Sequence, residues 1–186
     1  MGSLIEVHVP QNGIKDQGMT QLLRSLAFNK DLKTLRVNDN WLKSDSTEQL
    51  LRLLLSCPQL EELNISDGNM GTANVLIALR ALQKSSNKNL KAFSCNYNDV
   101  ESKKAVTECL EILVSLGSVK EIDFVGSGQS KTFKSSWFVK FAEAGKNIRL
   151  FDEGEEEEEA DENEDEEEED NHDYENDLEE LSQKLE

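Results

Sequence analysis

One apolar pattern, written five times at nearly constant spacing, restricts this chain more than any other feature. Aligned on Leu4, Leu32, Leu60, Leu90 and Val119, the copies lie 28, 28, 30 and 29 residues apart. Each reads L-x-x-L-x-L-x-x-N-x-L or a close variant. The first is Leu4, Val7, Val9, Asn12, Ile14 and the second Leu32, Leu35, Val37, Asn40, Leu42. The third is Leu60, Leu63, Ile65, Gly68, Met70 and the fourth Leu90, Phe93, Cys95, Asn98, Val100. In the fifth, Val119, Ile122 and Phe124 persist, but Ser127 replaces the asparagine and Gln129 the last apolar residue. The central apolar pair alternates with period two, which predicts a short strand with one face inward. Strands that recur once per copy across long crossovers pair in parallel.

The intervening segments carry helical spacing. Met19, Leu22, Leu23 and Leu26 form one face over Asp16–Phe28. Leu50, Leu51, Leu53, Leu54 and Leu55 follow Ser44 or Ser46 as a cap, with Pro58 beyond the end. Val75 to Leu82 and Ala105 to Val114 supply the third and fourth helices, the latter with Gly117 as C-cap. Phe133, Trp137, Phe138 and Phe141 mark a fifth, read as an aromatic seal on the last repeat. The predicted fold class is α/β: a leucine-rich-repeat solenoid over residues 1–151, a ribonuclease-inhibitor-like arc with parallel sheet on its concave face and helices on its convex face.

Such an arc leaves turn backbone groups away from water. An asparagine amide both donates and accepts, so Asn12, Asn40 and Asn98 are predicted to form a structural ladder between turns. Outward strand residues and the loops that follow them are the candidate partner-binding surface: Gln11, Arg36, Asp39, Trp41, Asn64, Asp67 and Tyr97. Trp41 is read equally as an interface anchor and as a side chain packed over a neighbouring loop.

The net charge of −18 is unevenly placed. Residues 152–186 hold 22 acids and one base, Lys184, which leaves the repeats mildly basic. This tail is predicted to be disordered. It disfavours nucleic acid as a partner and favours basic proteins. No apolar run is long enough for a membrane span, and Met1–Pro10 has no signal-peptide pattern. Cys57, Cys95 and Cys109 fit neither a zinc site nor a disulfide framework and are expected to be reduced core thiols.

Chemistry finds no constellation. His8 and His172 are the only histidines, and neither assembles with a nucleophile and an orienting acid. Gly126-Ser127-Gly128 with Lys131 and Thr132 lacks the spacing of a phosphate loop and reads as a turn. No catalytic residue, metal site or cofactor is expected.

The stretch Val9-Pro10-Gln11-Asn12-Gly13-Ile14, then Gly18-Met19, Leu35 to Asn40 and Leu60 to Gly68, followed by the acidic run, resembles the later repeats of the Ran GTPase-activating proteins. The resemblance implies binding to the small GTPase Ran in its GTP form and stimulation of hydrolysis by ordering Ran's own glutamine, in nucleocytoplasmic transport. It places the chain in the cytoplasm, at the nuclear envelope or in the nucleus. Family members carry many more repeats, and the asparagine that acts on Ran lies in an earlier one. The expectation is therefore a carboxy-terminal part without the catalytic repeat. An alternative resemblance is to the acidic leucine-rich nuclear phosphoproteins, scaffolds for histones and other basic proteins. A third class, actin-regulating repeat proteins, shares the helical repeats but gives no reason for the tail.

Overall fold

The computed structural model describes residues 4–85 and 87–152. The tail expected to be disordered lies outside them, Asp152 excepted. Strand and helix alternate throughout: β1 (Glu6–His8), α1 (Asp16–Leu26), β2 (Thr34–Arg36), α2 (Ser44–Ser56), β3 (Glu62–Asn64), α3 (Gly71–Lys84), β4 (Ala92–Ser94), α4 (Lys103–Ser115), β5 (Glu121–Asp123), α5 (Lys131–Glu143) and β6 (Asn147–Arg149). The strands form one parallel sheet in sequence order. In register, Val7, Leu35, Leu63, Phe93, Ile122 and Ile148 stand side by side. The predicted α/β solenoid is the observed fold.

The inward stripe is dry. Leu32, Leu35, Leu60, Leu63, Leu23, Leu50 and Leu53 are fully buried, and each contributes about 1.5–3 kcal/mol relative to exposure. The aromatics of α5 stack in sequence: ring centroids are 6.4 Å apart for Phe133–Trp137 and again for Trp137–Phe141. Trp137 and Phe141 are buried, as expected of a seal. The three cysteines are free and buried. Burial pushes the Cys95 thiol up to about 12 and raises Cys57 and Cys109 as well, so none offers a reactive thiolate.

Four local expectations are corrected. A sixth strand follows α5. Ile148 and Leu150 alternate inward, but by register Gly145 stands where the other copies have Leu or Val, which disguises the copy, and Lys146 follows it. Its ammonium is buried and donates to the carbonyls of Leu116 and Val119, the latter at 2.7 Å. Asn12 stands outside the ladder. It is exposed, and its amide donates to Pro10 O at 2.8 Å. No described coil precedes it whose buried carbonyls it could satisfy. The start of α2 is capped by neither Ser44 nor Ser46. Instead Asp16, from α1, accepts from the N–H of Lys43 (2.9 Å), the N–H of Ser46 (3.3 Å) and the hydroxyl of Ser46 (2.6 Å). A carboxylate there also meets the positive end of the helix dipole. Helix α4 ends on Leu116 in an extended conformation, so Gly117 is not its cap.

The ladder proper is made by Asn40 and Asn98. Asn40 donates to Val9 O, Val37 O and Asn38 O and accepts from Ile14 N at 2.9 Å. Asn98 donates to Ile65 O and Asn96 O and accepts from Gly68 N at 2.9 Å. The absent third asparagine is thereby explained: a Cβ at Gly68 would lie 3.0 Å from Asn98 Oδ1. Below it runs a second set of rungs, where Ser66 Oγ accepts from Asn96 N and Asn96 Oδ1 from Val125 N.

Two outcomes are expected. Asn98→Ala leaves buried backbone groups unpaired and should cost about 2–3 kcal/mol in urea unfolding, whereas Asn12→Ala should stay within about 0.5 kcal/mol. Burial, with Lys120 nearby, holds the Lys146 ammonium below its ordinary value. The folded chain therefore binds fewer protons than the unfolded chain between that lowered pKa and the ordinary lysine range. Stability should rise with pH across that window, and the slope should flatten in Lys146→Met.

Candidate functional site

The chain turns out of each strand from β1 to β5 through a left-handed residue. Gln11, Asp39, Asp67 and Tyr97 have φ of 55, 56, 52 and 52°, and Gly126 takes the equivalent place at 82°. Their N–H groups reach across to the next coil: Gln11 to Asn38 O (3.1 Å), Asp39 to Ser66 O (2.9 Å), Asp67 to Asn96 O (2.7 Å) and Tyr97 to Val125 O (3.0 Å). This hydrogen bond dictates the backbone conformation, and the conformation turns the side chains away from the core. They stand in a row along the rim above the C-terminal ends of the strands. Asn69 and Asp99 repeat the left-handed geometry two residues later, at 53 and 57°. Aspartate and asparagine tolerate it well. For Gln11 and Tyr97 it costs about 1–2 kcal/mol each.

Two aromatics rise from this row. Trp41 is 43 % exposed and has two ammonium groups near its ring, Lys15 Nζ at 3.4 Å and Lys43 Nζ at 5.4 Å from the ring centre. Its backbone N–H donates to Ile14 O at 3.0 Å. The ring thus rests on neighbouring loop side chains and still offers an outer face. Tyr97 is 45 % exposed and lies flat over Gly126, where a Cβ would approach its ring to 2.5 Å. Its hydroxyl donates to the carboxylate of Asp152.

Five of the predicted partner-binding residues, Gln11, Asp39, Trp41, Asp67 and Tyr97, therefore share the rim. The other two, Arg36 and Asn64, sit on the strands and are engaged there. Arg36 Nε pairs with Glu62 Oε1 at 2.5 Å, which keeps the guanidinium firmly protonated. Asn64 Oδ1 accepts from Ser66 N at 3.0 Å. The rest of the concave face is paired likewise: His8 with Glu6 at 3.8 Å, Arg149 with Asp123 at 2.9 Å and Asn147 with Glu121 at 2.9 Å. The rim, rather than the strand face, holds the exposed aromatic surface of this side. Sequence reading missed the lysines around Trp41 and the role of Asp99. The left-handed residue stands directly before the ladder position each time, as in Asp39-Asn40 and Tyr97-Asn98, and that was the available signal.

Among the described residues, no group of three or more His, Cys, Asp or Glu side chains is arranged to hold a metal ion. No helix among them is long and apolar enough to cross a membrane. Gly126-Ser127-Gly128 is a turn, with both glycines at positive φ and Ser127 buried.

No family model matches this sequence, and no curated protein does. Solved structures do match. The tropomodulin C-terminal domain of Caenorhabditis elegans superposes with a TM-score of 0.62 at 14 % identity, over 76 % of this chain and 82 % of that one. A structure described as leiomodin-1 actin-binding site 2 gives 0.59 at 14 % identity, over 75 % and 81 %. The likeness is one of fold.

These neighbours overturn the expectation of a Ran GTPase-activating protein, and with it Ran as partner and a role in nucleocytoplasmic transport. The residues that carried the resemblance are those the coil demands of any such repeat. Gln11 and Gly13 have positive φ because the turn requires it, and Asn40 and Asn98 are rungs. The alternative, a histone-binding acidic scaffold, finds no support among the neighbours either.

The close approach at Gly126 yields a test. Gly126→Ala adds both a left-handed alanine and a clash with Tyr97, so it should destabilise by about 2–4 kcal/mol in thermal unfolding. Adding Tyr97→Ala should recover the steric part and leave about 1–2 kcal/mol, the backbone part.

Proposed function

We propose that this chain is a non-catalytic repeat arc that binds actin through the rim built by the loops after β1 to β4. The observation that carries this reading is the shared architecture over three quarters of the chain with a domain described as an actin-binding site. The rim supplies a suitable surface. It is a rigid row of hydrogen-bonded turns that presents Trp41 and Tyr97, with Asp39, Asp67 and Asp99 between and beside them. Large aromatics on rigid backbone are the usual anchors of protein interfaces, because they bury much area for little lost entropy. Tyr97 adds a second indication. A strained, exposed aromatic persists where its orientation is useful. The paired charges of the concave face provide polar surroundings rather than a free cationic site.

Sedimentation with actin filaments and titration of labelled actin monomer test the proposal. Binding to either form is expected, and Trp41→Ala or Tyr97→Ala should weaken it about tenfold each, a loss of about 1.4 kcal/mol. Absence of binding to both forms would refute it, as would full affinity in the doubly substituted chain.

A further inference from the structure

Helices α1, α2 and α3 each carry an arginine at a matching position. Arg24, Arg52 and Arg80 lie 28 residues apart, and Glu108 of α4 continues the column at the same interval. Only the far end of the column is paired across helices. There Arg80 donates through Nε, at 2.9 Å, and through Nη2 to Glu108 Oε1. Arg52 meets an arginine rather than an acid at the matching place on the following helix. Its Nη2 turns to Glu48 of its own helix at 2.9 Å, and its Nε is buried with no hydrogen-bond partner among the described residues. Arg24 is exposed, and among the described residues no carboxylate pairs with it.

Between α1 and α2 the helical side of the arc opens into a groove of about 650 Å³. Arg24 and Arg52 line it, and so do Phe28 and Leu55, which are 81 % and 47 % exposed. A single apolar side chain in water needs no explanation, but two that share a groove with a free guanidinium mark a surface for a partner. The groove is graded along its length. Asp45 and Glu48 lie on the first turns of α2, and Glu48 is held by Arg52. Arg24 lies in the last turn of α1, and Phe28 and Lys30 follow beside the end of α2 that carries Leu55. Cationic and apolar groups thus stand together at one end. No residue of the rim lines this groove.

We propose that the groove between α1 and α2 is a second docking surface, which takes an acidic, apolar-faced helical segment of a partner protein. A carboxylate of that segment pairs with Arg24, and its large apolar side chain covers Phe28 and Leu55. The chemistry of the occupant follows from what the groove lacks. Glu108 shows which group completes an arginine of this column, and the α1–α2 interface has no such carboxylate to offer Arg24. A small anion would satisfy the guanidinium but leave Phe28 and Leu55 in water. A purely apolar segment would cover them and desolvate Arg24 without compensation. A basic segment would meet Arg24 and Lys30 with like charge. A segment with both groups on one face meets all three conditions, and guanidinium with aromatic is the commonest pairing of anchors at protein interfaces. Helix α1 has 11 residues and is about 16 Å long, room for a guest helix of about three turns. The inference goes beyond the actin reading and does not rest on it, since the two surfaces share no residue.

The test uses the isotope-labelled full chain without actin, so its outcome is separate from that of the rim. The probe is a synthetic helical peptide of about twelve residues, with leucines at every third or fourth position and glutamates beside them. Its counterpart has lysine in place of each glutamate. The acidic peptide should shift amide resonances of α1 and α2 saturably, and the basic one should not. Arg24→Glu and Phe28→Ser should each weaken the acidic peptide about tenfold. Both side chains are exposed, so the fold survives either change; the comparison of the two peptides on the unsubstituted chain needs neither variant. Equal binding of both peptides, shifts centred on the rim, displacement by inorganic phosphate at matched ionic strength, or no shift at all overturns the proposal.

Discussion

The hydrogen bond from each left-handed turn residue to the next coil is the constraint on which the architecture rests. Apolar burial explains why the coils collapse together, but it is non-directional and would tolerate a slipped stack. The bonds from Asp39 to Ser66 O and from Asp67 to Asn96 O admit only one register. The ladder asparagines and the Ser66–Asn96–Val125 rungs satisfy the groups those turns leave over. A three-residue strand alone specifies little. Bracketed by such a turn, it must align with its neighbours, and the dry stripe from Val7 to Ile148 follows.

Much of this was legible in the residues because period and patterning are local properties. The 28–30 spacing placed β1 to β5 and all five helices. What escaped was whatever depends on a contact between coils. Asp16 gives no local sign that its carboxylate belongs to the start of α2, 27 residues away. Lys146 looks unlike a core position until its ammonium is seen on two carbonyls of the coil before. Gly68 is read as a lost asparagine, although it is the gap into which Asn98 fits. The rim was legible as a set of loop residues, and five of the seven named residues lie on it. Arg36 and Asn64 were chosen by the same outward alternation, but Arg36 is held by Glu62 of the next strand and Asn64 by the N–H of Ser66 in its own coil.

The same distinction explains why the likeness to Ran GTPase activators misled. Positions such as Gln11, Asn12 and Gly13 are held by the backbone geometry of the turn, so unrelated arcs converge on them. The side chains carried at exposed positions of the rim, Trp41 and Tyr97 above all, are where one arc differs from another. Function is written in such side chains, whose identity changes from coil to coil even where the backbone does not, as in Gln11, Asp39, Asp67 and Tyr97.

Helix capping divides the array into two unequal regimes. Helices α4 and α5 are closed by their own serines, Ser102 accepting from Ala105 N and Ser130 from Phe133 N. Helix α2 borrows Asp16 from its predecessor. Fraying of the first coil therefore strips the second of its terminus, and loss spreads inward from that side. At the opposite end the last coil leaves the starts of α4 and α5 capped, but takes with it the Lys146 ammonium that serves the carbonyls of Leu116 and Val119. A molecule of near-identical units thus depends on its neighbours differently at its two ends, through a carboxylate at one and an ammonium at the other.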